Sequence, residues 1–350
     1  MALPVAMKKY ISLLMILTFA SATITAQPKF TVKKQHLVFE APPFQECHAA
    51  TLVEVKDGKL LLSFFAGSKE GRPDVSIWSC FLDDSRNVDA KIVADGTSAG
   101  STRYPAWNPV LFKSATGKIT LFYKVGPNPR QWWGMYKTST DGIHWSAPVA
   151  LEKGILGPIK NKPVQLSNGT ILSPSSVEET ETRWKAHVEI SKDDGASWTK
   201  TLIDTASSFN VIQPSILVHE KDKLQVLCRS REGNVITAWS NDKGESWGKL
   251  AKTELLNPNS GTDAITLANG KGYLIVYNPD IPGKEWFNNR GKLRVAYSED
   301  GLKWRDIVDL EDTDGKEFSY PCIIQAADGL IHIAYTYDRK NIKHVVLNAL

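Results

Sequence analysis

Cysteine is scarce in this sequence. Only Cys47, Cys80, Cys228 and Cys322 occur in 350 residues, too few for a scaffold held together by disulfides, although an oxidising compartment would allow a bridge. None lies in a CxxC pair or beside an HxxxH, so the common zinc patterns are excluded and no metal site is expected. No GxGxxG follows a strand, and neither GxxxxGK[ST] nor HExxH occurs, so no cofactor is expected. An excess of charge of one sign is missing as well: 42 Lys and Arg stand against 38 Asp and Glu, without a polybasic run. That balance argues against a nucleic-acid partner. Beyond the first 26 residues no apolar stretch reaches the roughly 18 residues of a membrane span, and the mature chain is expected to be soluble and monomeric.

The first 26 residues read as a secretion signal. Lys8 and Lys9 form a basic start, Ile11 to Ala22 an apolar run, and Ala26 a small residue for cleavage. No cysteine follows to carry a lipid, so the expected location is periplasmic or secreted. Residues 27–350 are expected to form one domain. Its 42% hydrophobic and 23% charged composition, taken over the whole chain, suits a globular core and rules out a disordered interaction tail.

Long helical periodicity is absent, and a repeat takes its place. Six times the chain writes an apolar strand, a polar or glycine turn and a second strand, with turns near Asp57, Thr116, Asn168, Lys221, Asn269 and Asp328. A second signature follows four of these hairpins: Ser139, Asp141, Gly142 and Trp145; Ser191, Asp193, Gly195 and Trp198; Ser240, Asp242, Gly244 and Trp247; Ser298, Asp300, Gly301 and Trp304. In such a turn the Asp carboxylate accepts backbone N–H bonds, Gly supplies a positive φ, and Trp packs against the neighbouring sheet. These are structural devices, and the aspartates need no catalytic role. A degenerate copy lies at Asp83 and Asp84.

The four turns resemble the Asp-box (BNR) repeat of sialidase-like proteins, over essentially residues 28–350. The resemblance implies an all-β, six-bladed β-propeller, in agreement with the six hairpins. The segments beginning at Lys29 and Asn341 are expected to share a blade and close the ring, because an open ring would expose two sheet edges.

Ligand groups in a propeller gather where loops from several blades meet the central channel. Reading those junctions gives a basic and aromatic set that suits an anionic sugar: Arg forks a carboxylate, and Trp stacks on a pyranose. His48 precedes a buried strand, His187 lies in the Trp184–Glu189 segment, and Tyr320 precedes the innermost strand of the last blade. Local ion pairs offer a plain alternative for some of the charges: Glu70 with Arg72, Asp338 with Arg339, Glu232 with Arg231.

Sialidase-like proteins of the hydrolytic kind imply three arginines on a carboxylate, a Tyr–Glu nucleophile pair and an Asp acid. Arg229, Arg290, Arg339, Tyr320 and Asp74 would fill the arginine, tyrosine and acid roles, but the Phe/Tyr-Arg-Ile-Pro motif of the first arginine is absent. The chain is more similar to a subgroup whose motifs appear at residues 47–49, 70–74, 107–112, 157–163 and 213–217. Relatives of that subgroup, in polysaccharide-degrading Bacteroidetes, act on uronic-acid glycans by β-elimination or at rhamnosyl-uronate linkages. On this resemblance the expected substrate is an acidic oligosaccharide, and the expected activity is that of a lyase or a non-reducing-end dehydratase. Arg72, Lys160, Lys162 and Arg229 are expected on the carboxylate, Trp107 and Asn108 on the sugar. His48 or His187 is expected as base, with Tyr320 or the other histidine as acid. An exo-sialidase is the second reading and a non-catalytic glycan-binding propeller the third.

Overall fold

The computed structural model describes residues 28–83, 88–97, 102–206, 208–270, 272–285 and 287–349. The segment expected to be a signal, residues 1–26, and Asp84 lie outside them. The described chain forms six four-stranded antiparallel sheets arranged as the blades of a propeller. Blade 1 runs outward through Glu46–Glu54, Leu60–Gly67, Ser76–Leu82 and Lys91–Ala94; blade 2 through Ala106–Lys113, Ile119–Val125, Trp133–Ser139 and Val149–Ala150. Blade 3 comprises Val164–Gln165, Ile171–Glu178, Trp184–Ser191 and Thr199–Leu202; blade 4 comprises Val211–Val218, Leu224–Ser230, Asn234–Ser240 and Ala251–Leu256. Blade 5 holds Asp263–Thr266, Tyr273–Tyr277, Lys292–Ser298 and Arg305–Asp312. Blade 6 holds Phe318–Gln325, Ile331–Tyr337 and Asn341–Ala349, with Phe30–Leu37 as its outermost strand. The ring is therefore closed by both ends of the described chain, as the sequence led us to expect.

The inner strands are apolar on both faces because each blade is covered on both sides by its neighbours. In blade 1, Leu62 and Phe64 pack with Cys322, Ile324 and Ala334 of blade 6, while Leu61 and Phe65 pack with Leu111, Leu121 and Tyr123 of blade 2. Simple in–out alternation describes only the outer strands. Each fully buried Leu or Phe contributes roughly 1.5–3 kcal/mol relative to exposure, so the fold rests on these interblade layers. All four cysteines are buried and free, and no disulfide supplements them.

The Asp-box turns knit blade to blade. In blade 4 the Ser240 hydroxyl donates to Asp242 (2.7 Å) and accepts from Gly244 N–H (2.9 Å), while Asp242 accepts from Ser246 N–H (2.9 Å). The box tryptophans Trp145, Trp198, Trp247 and Trp304 pack into the seam with the preceding blade. Glycine is demanded twice over at Gly301: its φ is +75°, and a Cβ there would stand 2.2 Å from Gln225 of blade 4. Hydrogen bonds, led by those of Ser197, hold the Asp193 carboxyl down at about 2, which fits a cap rather than a proton donor.

Candidate active site

The inner strands of four blades carry the same irregularity. The pairing register shifts after His48, Trp107, Ile212 and Ser319, and the bulges place Ala49, Asn108, Gln213 and Tyr320 at positive φ, between 40° and 58°. Three of these residues precede a proline, which disfavours the right-handed helical region at that position. A bulge inserts a residue and re-aims the chain. Here it brings His48, Gln213 and Tyr320 together from blades 1, 4 and 6.

The His48 and Tyr320 rings touch, with centroids 4.1 Å apart and planes inclined at 45°. His48 is buried, its Nδ1 hydrogen-bonds the Thr336 hydroxyl at 2.8 Å, and its edge meets Phe65. Its Nε2 has no hydrogen-bond partner among the described residues. Burial, then the charges of Arg339, Arg290, Arg229 and Lys160, hold its pKa well below the ordinary 6.5, so the ring is neutral at neutral pH. The Tyr320 oxygen accepts from Arg229 Nη1 at 2.8 Å and Gln213 Nε2 at 3.2 Å. Both lone pairs are thereby used, and the O–H proton is left to donate elsewhere. Among the described residues no carboxylate hydrogen-bonds this hydroxyl.

Three guanidiniums surround the pair, joined through shared acceptors. Arg229 donates to the Asn259 side chain (2.9 Å) and Arg290 to the Asn259 carbonyl (3.0 Å). Glu317 then grips Arg290 (3.1 Å) and Arg339 (2.7 Å), and Arg339 reaches on to Glu70. Burial alone would raise the Glu317 carboxyl; Arg339 and then Arg290 outweigh it and hold it below its ordinary value. Burial and the Arg229 charge pull Arg290 down. Arg290 and Arg339 thus share Glu317 and Glu70, while the hydrogen bonds of Arg229 go to the neutral Asn259, Gln213 and Tyr320 side chains, and an incoming anion would answer its charge.

Trp107 is buried, its indole N–H bonded to the Gly126 carbonyl (2.8 Å) and its ring against Phe65 and Trp132. Beside it Asn108 has no side-chain hydrogen bond among the described residues. On the other wall Arg229 and Arg231 lie 5.5 and 5.1 Å from the Trp184 ring centre. Glu178 pairs with Trp184 across its hairpin; burial raises its carboxyl against the pull of Arg229, Arg130 and Arg231.

Several sequence expectations require correction. Lys160 spends its ammonium on Asn161 Oδ1 (2.8 Å), the Thr262 carbonyl (2.9 Å) and the Pro321 carbonyl, so no donor is left for a substrate carboxylate. Lys162 is bound to Asp263 at 2.7 Å, and Asp263 also accepts from Ile323 N–H and Ser215. Together these residues latch blades 3, 4, 5 and 6 around the axis. His187 lies on the third strand of blade 3, fully buried, with Nε2 on Glu189 at 3.2 Å; it shares no contact with His48 or Tyr320. Arg72 is exposed and has no side-chain partner among the described residues, on a loop whose Gly71 abuts Trp107. Asp74 caps that loop through Ser68 (2.7 and 2.8 Å).

The local ion pairs also fail. Glu70 pairs with Arg339 rather than Arg72, Asp338 with Lys316, and Glu232 binds Asn210. Glu317 and Thr336 were not singled out from the sequence. Glu317 stands three residues before Tyr320, but its role depends on partners that local spacing does not reveal.

A sequence description of the BNR repeat-like domain matches residues 58–333. A curated sialidase of Bacteroides fragilis is 22% identical over 252 residues, 64% of this chain and 44% of that protein; the chain thus spans under half the length of this relative. Among solved structures, a Hadza microbial sialidase superposes with a TM-score of 0.74 at 16% identity, over 89% of this chain and 68% of the other. A protein of unknown function from Dyadobacter fermentans gives 0.73 at 16% identity, over 92% and 100%. The sialidase of Trypanosoma rangeli gives 0.67 at 14% identity, over 89% and 59%. With its six blades, its Asp-box turns and this match over most of its length, the chain belongs to the BNR repeat-like domain family, with a sialidase-like propeller fold.

Proposed function

We propose that the protein acts on acidic oligosaccharides by β-elimination at a uronate, in the breakdown of an acidic polysaccharide. One observation carries this reading: a neutral histidine touches a tyrosine whose hydroxyl is held by N–H donors, and three arginines lie around the two. Elimination needs a cationic site for the carboxylate, so that the C5 proton becomes acidic, a base for that proton and an acid for the C4 oxygen. Arg229, Arg290 and Arg339 supply the first, His48 Nε2 the second and the Tyr320 hydroxyl the third. With a sugar at C4 the enzyme is a lyase; with a free hydroxyl it is a dehydratase. The signal-like leader fits work outside the cytoplasm.

Sialoside hydrolysis is the second reading, favoured by the arginine trio and by the Bacteroides fragilis relative. It would use Tyr320 as nucleophile, and the neighbours on its oxygen are then the Arg229 guanidinium and the Gln213 amide, neither of which can take up its proton. Incubation with uronate oligosaccharides and with a sialoside, followed by mass spectrometry, separates the outcomes. Loss of water without cleavage, or cleavage to an unsaturated end, supports elimination. Release of sialic acid overturns it in favour of hydrolysis, and binding without turnover makes the propeller a lectin.

A further inference from the structure

We infer that the uronate taken by this site carries its C5 hydrogen and its C4 oxygen on the same face of the ring, as gluco- and manno-configured uronates do. Uronates of the galacto, ido and gulo series, with the two on opposite faces, are excluded. The inference rests on the elimination reading and follows from where the acid and the base stand. Their ring centroids are 4.1 Å apart. A pyranose lying between two groups needs about 3.5 Å of clearance on each side, so the ring bodies of His48 and Tyr320 cannot enclose one.

Neither residue is free to swing to the far side of the sugar. Thr336 holds His48 at Nδ1, and Phe65 packs against its ring. Arg229 and Gln213 hold the Tyr320 oxygen, and the bulge at Ser319–Cys322 fixes its backbone. Base and acid therefore approach the substrate side by side.

The step balances within the pair. His48 Nε2 takes the C5 proton, the C–H electrons form the C4=C5 double bond, and the C4–O bond breaks with its electrons on oxygen. Tyr320 gives its proton to that oxygen, releasing an alcohol or water. Imidazolium and phenolate are then neighbours, and return of the proton from His48 to Tyr320 restores both. No oxidant, reductant or further reactant is needed.

The test uses the full mature protein and two pairs of 4-linked oligosaccharides differing only at C5: mannuronate against guluronate, and glucuronate against iduronate. Formation of the double bond is followed by ultraviolet absorbance and by mass, with a sialoside run in parallel. Since a correctly placed acid or base contributes about 10²–10⁴-fold, we expect the mannuronate or glucuronate member to react at least about 100-fold faster than its epimer. Equal rates, or a faster guluronate or iduronate, overturn the inference and leave elimination standing. No unsaturated product from any of the four overturns both, and the sialoside then shows whether hydrolysis takes its place.

Discussion

His48 is kept neutral by its surroundings, and the same surroundings determine how it should respond to pH. Its folded-state pKa lies below the ordinary 6.5, through burial first and the nearby guanidiniums second. The active, unprotonated ring therefore persists as the pH falls through 6.5 and is lost only at the depressed value. The acid limb of kcat/KM on a uronate substrate should accordingly lie below 6.5. In Arg339→Gln, which removes the charge that acts most strongly on His48, the limb should move upward, as a pH–rate profile would show. His48→Gln, which keeps a polar group beside Thr336, should lower turnover by about 10²–10⁴-fold while circular dichroism stays that of the native protein. A variant of undiminished activity would remove His48 from the chemistry. Part of this site was legible in the sequence, because His48, Tyr320 and Arg229 sit at ends of strands that face the channel. Lys160 was misread because a sequence does not display acceptors: its partners are carbonyls 102 and 161 residues away. Thr336 was missed for the same reason, standing 288 residues from the ring it orients.

Strand and turn chemistry was far easier to read, since each hairpin and each Asp-box is a local arrangement of neighbours. What the pattern did not reveal is the bulge in the inner strands. Asn108, Gln213 and Tyr320 occupy left-handed backbone that costs such residues of the order of 1–3 kcal/mol each, and nothing in an apolar run followed by proline announces it. The cost is borne at the positions from which Gln213 and Tyr320 meet in the channel. The turns, by contrast, should respond as plain structure. Ser240 is buried, and its oxygen accepts from Gly244 N–H and, at 3.4 Å, from Asp242 N–H. Ser240→Ala leaves these donors short of an acceptor and should cost about 1–3 kcal/mol in urea denaturation, with turnover of the folded fraction unchanged. A fall in turnover larger than the fall in folded protein would give the box a role beyond scaffolding.

Around the axis, Lys160 and Asp263 reach acceptors or donors in several blades and act as a latch on the assembled ring. Burial lowers Lys160 to about 8 despite the Asp263 charge, so the residue is a costly one to keep. Lys160→Met would leave buried acceptors in blades 3, 5 and 6 without their donor, and should destabilise the protein by on the order of 3 kcal/mol, measured by chemical denaturation. Lost activity at full stability would instead place Lys160 against the substrate. Closure follows a different logic from the latch. The strand Phe30–Leu37 pairs with Asn341–Ala349 and with no other strand of its sheet. A ribosome must therefore make the strand Asn341–Ala349 before the strand at the other end has anywhere to go. Until that pairing forms the ring stays open, and the strand Phe30–Leu37 has no place in a sheet. Completion depends on the longest-range strand pairing among the described residues, the kind of contact that folds slowly and invites pairing between molecules in the interval.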